Sequence, residues 1–264
     1  NRMKKIIVLS ALALTAATMS AQSIIYPKAP KDGTVDTYFG VEVSDPYRPL
    51  EADRSQETTA WVEAENKVTN AYLAKIPFRA KLLKRLKEVA DFEKVGTPFK
   101  KNGKWYVYKN NGLQNQSVLY QMDDLNGTLH EFLDPNKLSD DGTVALQNTS
   151  FSKDGKYMAY VISRSGSDWQ EIYVMDVATG ELLTDHIEWA KFGGPQWCGN
   201  GFYYSAYDAP EKGKEFSSKN EVHKVYYHKI GTKQSDDVLF YQNPVHPLRF
   251  YSVSLNKDET IMFL

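Results

Sequence analysis

From residue 91 onward, apolar and polar positions alternate in short runs, each entered through a tight polar turn. Lys104-Trp105-Tyr106-Val107-Tyr108 follows Lys101-Asn102-Gly103, and Lys156-Tyr157-Met158-Ala159-Tyr160-Val161 follows Ser152-Lys153-Asp154-Gly155. Gly201-Phe202-Tyr203-Tyr204-Ser205-Ala206-Tyr207 follows Cys198-Gly199-Asn200, and Thr260-Ile261-Met262-Phe263-Leu264 follows Leu255-Asn256-Lys257-Asp258-Glu259. A period of two behind a turn rich in Gly, Asn and Asp predicts β-hairpins. The first three of these strands are each followed by a second: Val118-Leu119-Tyr120-Gln121-Met122-Asp123, Glu171-Ile172-Tyr173-Val174-Met175-Asp176 and Lys224-Val225-Tyr226-Tyr227-His228-Lys229. Their tyrosines Tyr120, Tyr173 and Tyr226 recur every 53 residues, and the turn glycines Gly127, Gly180 and Gly231 come shortly after. A β-type phrase repeating at about 50 residues is the mark of propeller blades. About 4–8 blades close a propeller. The pattern here fills three and opens a fourth, so the fold class is mainly β, an incomplete β-propeller from the front of a longer protein. Leu264 falls inside the fourth repeat's strand and reads as a truncation.

Residues 25–50 read differently. Pro27, Pro30, Gly33, Gly40, Pro46 and Pro49 predict an extended strap. A helix follows, with Ser55 placed to cap it and Glu57 in its first turn, where the helix dipole favours negative charge. Trp61, Ala64, Val68, Ala71 and Tyr72 recur at helical spacing, and Pro77 ends the run. A second amphipathic helix is predicted over 78–90, with Leu82, Leu83, Leu86 and Val89 inward. A strap and two helices make a poor core alone, so their apolar faces call for a partner surface.

The first residues are an address. Met3-Lys4-Lys5, an uncharged apolar run over 6–18 and the small pair Ser20-Ala21 form a secretory signal peptide cut before Gln22. The run is shorter than the ~20 apolar residues of a spanning helix, so no membrane partner is expected and the protein is periplasmic or secreted. A formal net charge of −1 leaves no electrostatic footprint for nucleic acid. Cys198 is the only cysteine, so no internal disulfide holds the fold, and it reads as a small buried hydrophobe.

A nucleophile is missing. The Gly-x-Ser-x-Gly elbow of α/β-hydrolases does not occur, and its nearest approach, Ser165-Gly166-Ser167, falls in a β-turn. The five histidines lack metal-binding spacing. The acidic pairs Asp123-Asp124, Asp140-Asp141 and Asp236-Asp237 read as solvated turns rather than a catalytic carboxylate pair. No metal or organic cofactor is implied.

Longer phrases carry a resemblance. Asp45-Pro46-Tyr47-Arg48 leads through Leu50-Glu51 to Trp61-Val62 and Asn66, then Tyr72-Leu73 and Ile76-Pro77-Phe78-Arg79. Gly112-Leu113-Gln114-Asn115-Gln116-Ser117-Val118-Leu119-Tyr120, Leu133-Asp134-Pro135-Asn136, Ser165-Gly166-Ser167-Asp168-Trp169 and Gly231-Thr232-Lys233-Gln234-Ser235 follow. From about residue 25 to 264 the chain resembles the prolyl oligopeptidase family of serine peptidases. The resemblance implies a seven-bladed propeller capping an α/β-hydrolase domain that bears a Ser-Asp-His triad. Residues 1–21 would be the signal peptide with its leading remnant. Residues 22–90 would pack on the hydrolase domain, which is absent from this chain, and 91–264 would be the first three blades and the start of a fourth. The triad would lie in the missing C-terminal domain, leaving no catalytic residue here and no activity in the chain alone. The substrate would be a short proline-containing peptide, cut on the carboxyl side of proline. Phe192, in the pair Lys191-Phe192, and Phe250 match positions where the family lines its substrate pocket. The sequence departs from the family's pattern at Pro49, Ala52 and Gly193-Gly194-Pro195. The alternative, a non-catalytic periplasmic propeller that only binds, explains the 53-residue beat but leaves the strap and helices without a role.

Overall fold

The structure is a computed structural model that describes residues 24–264; the expected signal peptide lies outside the described residues. The chain divides into two compact units, one ending at Ala80 and the other beginning at Lys81.

In the first unit, strands β1 (Val35–Tyr38) and β2 (Val41–Ser44) form an antiparallel hairpin. Phe39 and Gly40 turn its tip with φ of 53° and 83°, the left-handed pair of a two-residue hairpin turn. Arg48 ties the base of this hairpin to the next turn through Asp36 and Asp45. Helix α1 (Gln56–Ala74) begins where expected. Ser55 Oγ accepts the Thr58 N–H at 3.1 Å, satisfying one of the orphan donors at the helix start.

Helix α2 (Arg79–Ala90) spans the division between the units. Leu82, Leu83, Leu86 and Val89, expected inward, are instead 46–57% exposed. The helical period holds, but the apolar stripe is left about half exposed.

The second unit is a series of antiparallel meanders. The first comprises β3 (Lys94–Val95), β4 (Phe99–Lys101), β5 (Lys104–Asn110), β6 (Val118–Met122) and β7 (His130–Leu133). The next runs through β8 (Val144–Phe151), β9 (Tyr157–Arg164), β10 (Gln170–Asp176) and β11 (Leu182–Ala190). A third runs through β12 (Gln196–Cys198), β13 (Gly201–Ala206), β14 (Lys224–Lys229) and β15 (Val238–Gln242). It joins the second at one pair only, Ala190 opposite Ala206. Strands β16 (Ser254–Leu255) and β17 (Met262–Phe263) form a short last hairpin, in which the run expected over 260–264 contributes two strand residues.

The 53-residue beat has a structural cause. Tyr120, Tyr173 and Tyr226 occupy the same cross-strand station in successive meanders, opposite Val107, Tyr160 and Tyr204. The last two pairs stack with ring centroids 5.5 and 5.6 Å apart.

Strand β9 is buried on both faces. Met158, Tyr160 and Ile162 join Tyr106, Leu119 and Val144 in one core, while Ala159 and Val161 join Ile172, Ile187, Trp197 and Phe202 in another. Because successive side chains point to opposite faces of a sheet, this meander is a slab packed between the other two. Among the described residues no helix is long and apolar enough to cross a membrane.

Candidate functional site

The loop after β11 and the loop after β15 bring Phe192 and Phe250 together. Their ring centroids lie 5.5 Å apart at 43°. Phe192 is 49% exposed and Phe250 66%, so these rings are surface features rather than blade core.

Behind Phe192 stands an aromatic wall. Tyr207 and His223 lie 6.4 and 6.2 Å from its centroid, and Tyr207 in turn meets Trp169 at 6.3 Å. Trp169 also packs edge-on against Trp189 at 5.4 Å and donates from Nε1 to the Glu215 carbonyl at 2.7 Å. The Lys191 side chain is buried in this wall. Its Nζ sits 4.6 Å over the Trp169 ring, 5.4 Å from the Phe192 ring and 3.9 Å from Asp168 Oδ2. An ammonium this close to ring faces is held by their quadrupoles as well as by the carboxylate.

His223 is fully buried, and its two nitrogens are both used. The Tyr251 N–H donates to Nδ1 at 2.8 Å, so Nδ1 carries no proton. Nε2 therefore carries it and donates to the Lys191 carbonyl, also at 2.8 Å. Burial holds this imidazole below its ordinary pKa, offset only in part by the Lys191 bond. The ring is a neutral strut with a fixed tautomer.

The backbone around the cluster is strained. Trp189, Phe192 and Val222 have φ of 60°, 56° and 56°. For a β-branched residue such as Val222 this region is a genuine outlier, and each such residue costs on the order of 1–3 kcal/mol. Gly193 answers a steric demand beside them. A Cβ there would stand 2.6 Å from Ser205 Oγ and 2.8 Å from Ser205 Cβ. The lack of a side chain at Gly193 thus lets the loop press against β13.

A second polar group lies deeper in the same unit. His228 donates from Nδ1 to Asp237 at 2.7 Å and from Nε2 to Asp185 at 2.9 Å, with all three side chains out of solvent. Tyr204 also donates to Asp237, at 2.8 Å, and the Gly231 N–H to Asp185, at 2.6 Å. Burial opposes charge on His228, but the bonds to Asp237 and Asp185 outweigh it and raise the pKa. Asp237 is therefore not the solvated turn residue expected: it faces inward because an imidazole and a phenol need an acceptor there. Asp123 and Asp141 do lie in exposed turns. Cys198 is half-buried rather than buried. Among the described residues, no group of three or more His, Cys, Asp or Glu is placed to hold a metal ion. Ser165 and Gly166 form the left-handed tip of the β9–β10 hairpin, as their turn assignment required.

Residues 27–264 match the family model for the N-terminal β-propeller domain of prolyl oligopeptidase. The chain belongs to the prolyl oligopeptidase family. It is 47% identical over 251 residues to the prolyl endopeptidase of Elizabethkingia miricola, covering 94% of this chain and 36% of that protein. The prolyl endopeptidase of Elizabethkingia meningoseptica is 46% identical over the same shares. Among solved structures, prolyl oligopeptidase B from Galerina marginata, bound to a 35mer hydrolysis and macrocyclization substrate, superposes with a TM-score of 0.72 at 30% identity. That match covers 90% of this chain and 36% of the other. The chain therefore spans little more than a third of the length of these relatives.

Sequence reasoning named Phe192 and Phe250, and the structure brings them together. It passed over the role of His223. A single histidine just ahead of a strand carries no periodic signal, and its partners lie 32 and 28 residues away along the chain.

Proposed function

We propose that this chain is the propeller-bearing front part of an exported serine endopeptidase that cuts short peptides on the carboxyl side of proline. The observation that carries the reading is the 47% identity to a prolyl endopeptidase over 94% of the chain. In this reading the meanders are the first three blades, and the last hairpin the start of a fourth, of a seven-bladed propeller. Residues 22–90 belong with an α/β-hydrolase domain encoded after Leu264. The half-exposed apolar stripe of α2, with Leu82, Leu83, Leu86 and Val89, supports such a partner. Residues 1–21 direct export to the periplasm or beyond.

The chemistry is acyl transfer, and its Ser, His and Asp belong to the hydrolase domain. The serine attacks the prolyl carbonyl, the histidine takes and then returns the proton, and the aspartate orients it. The propeller's part is to restrict entry to short peptides and to present Phe192 and Phe250 as apolar faces to residues ahead of the proline. Their exposure and their mutual packing support that role.

The test is to read the gene beyond the codon for Leu264 and to assay the full-length product. A Gly-x-Ser-x-Gly motif with later Asp and His, and cleavage of a blocked Gly-Pro aryl amide, are expected. A reading frame without that motif, or a full-length protein that leaves the amide intact, overturns the assignment.

A further inference from the structure

We propose that His223 is a positioning residue for the substrate pocket: its imidazole joins the residue before Phe192 to the residue after Phe250 and so sets the spacing of the two rings. The proposal rests on the reading that those rings face the peptide. Phe192 and Phe250 sit on loops that leave different strands, β11 and β15. Phe192 has Tyr207 and His223 behind it, but the half-exposed contact between the two rings does little by itself to fix their separation. The fixed element lies beneath them. Nε2 of His223 holds the Lys191 carbonyl and Nδ1 holds the Tyr251 N–H, each at 2.8 Å, while the ring itself is fully buried and packed 4.6 Å from Tyr207. Two further bonds lock the same frame. Ser205 Oγ donates to the Tyr251 carbonyl at 2.9 Å, and the Val222 N–H donates to the Pro247 carbonyl at 2.8 Å. Val222, next to His223, keeps its left-handed backbone inside this frame. Strain at a β-branched residue persists where surrounding structure over-determines it, and here it delivers the imidazole between the two loops. Imidazole suits the task because it is rigid, planar and carries one donor and one acceptor on separate atoms.

The test uses the full-length enzyme and two blocked substrates. One is Gly-Pro aryl amide; the other carries two additional apolar residues ahead of the glycine, long enough to reach both rings. His223→Phe, which keeps the ring's bulk and removes both bonds, is expected to raise KM for the longer peptide about tenfold, leaving kcat and the shorter substrate within about twofold. His223→Gln, which keeps a donor and an acceptor on a looser stem, is expected to raise it about threefold. In a Phe192→Ala background, His223→Phe should add less than it does alone, because the spacing of the two rings is already lost. Equal increases for both substrates, independent addition in the double variant, or an unchanged KM in His223→Gln each overturn the proposal. If His223→Phe does not fold, the selectivity of His223→Gln between the two substrates decides it. If Phe192→Ala itself leaves the longer peptide's KM unchanged, the pocket reading fails, separately from the role of His223.

Discussion

Nδ1 of His228 donates to Asp237 at 2.7 Å with both side chains shut away from water. The bond belongs to a closed group, since Asp185 takes the other ring nitrogen and Tyr204 shares Asp237. Asp185 Oδ2 already lacks a hydrogen-bond partner among the described residues. Removing the ring would leave two buried acidic side chains without the imidazole between them, with only the Tyr204 O–H and the Gly231 N–H still donating. His228→Leu is therefore expected to destabilise the propeller unit by about 3–5 kcal/mol, as breaking a buried charged group does. Urea unfolding of wild type and variant measures it; a loss under about 1 kcal/mol contradicts the assignment.

The two buried histidines should respond to pH with opposite signs. His228 has its pKa raised in the fold, so its contribution is complete below the ordinary value of 6.5 and is lost as pH rises through the folded value. His223 has its pKa lowered from 6.5, so its contribution is present above that value and is lost as pH falls through the folded one. Unfolding midpoints followed across this range should show His223→Gln losing less than wild type on acidification. His228→Gln should lose less than wild type on moving to alkaline pH. Parallel curves for all three proteins would contradict both assignments.

Gly193 sits where a methyl group would meet Ser205 at 2.6 Å. Gly193→Ala should displace the Phe192 loop and cost about 1–3 kcal/mol, the usual penalty of overpacking. Adding Ser205→Gly removes the colliding atoms and should recover part of that loss. Thermal unfolding of the two variants checks this, and no recovery in the double variant places the strain elsewhere.

Phe192 and Phe250 separate function from stability. Both are exposed, so truncating either to Ala should change unfolding free energy by less than about 1 kcal/mol. KM for peptides reaching both rings should rise about tenfold. A large stability loss with unchanged KM would return both rings to ordinary packing.

What could be read from the chain was its local order. The strands at Tyr106, Tyr160 and Tyr204 and their Gly-bearing turns are set by contacts between near neighbours, and alternation displays them directly. The beat of Tyr120, Tyr173 and Tyr226 showed the meanders because each repeat solves the same cross-strand packing problem. Asp237 was misread because a residue in a polar turn looks solvated until His228 and Tyr204 are known to stand beside it. Tyr204 is 33 residues away and Asp185 lies 43 from His228. His223 was missed for the same reason: a strut is defined by what it joins, and the four strands β12 to β15 lie between Lys191 and Tyr251 along the chain. Phe192 and Phe250 were legible through family resemblance, not through spacing.

The measurement that bears most directly on the whole account is peptidase activity of two purified proteins, the full-length product and the 264-residue chain. Each is offered a blocked Gly-Pro aryl amide and the same compound with alanine in place of proline. The account predicts cleavage after proline by the full-length protein alone, strong discrimination against alanine, and no turnover above background by the shorter chain. Cleavage by the 264-residue chain, or a full-length protein that cuts neither compound, would contradict it.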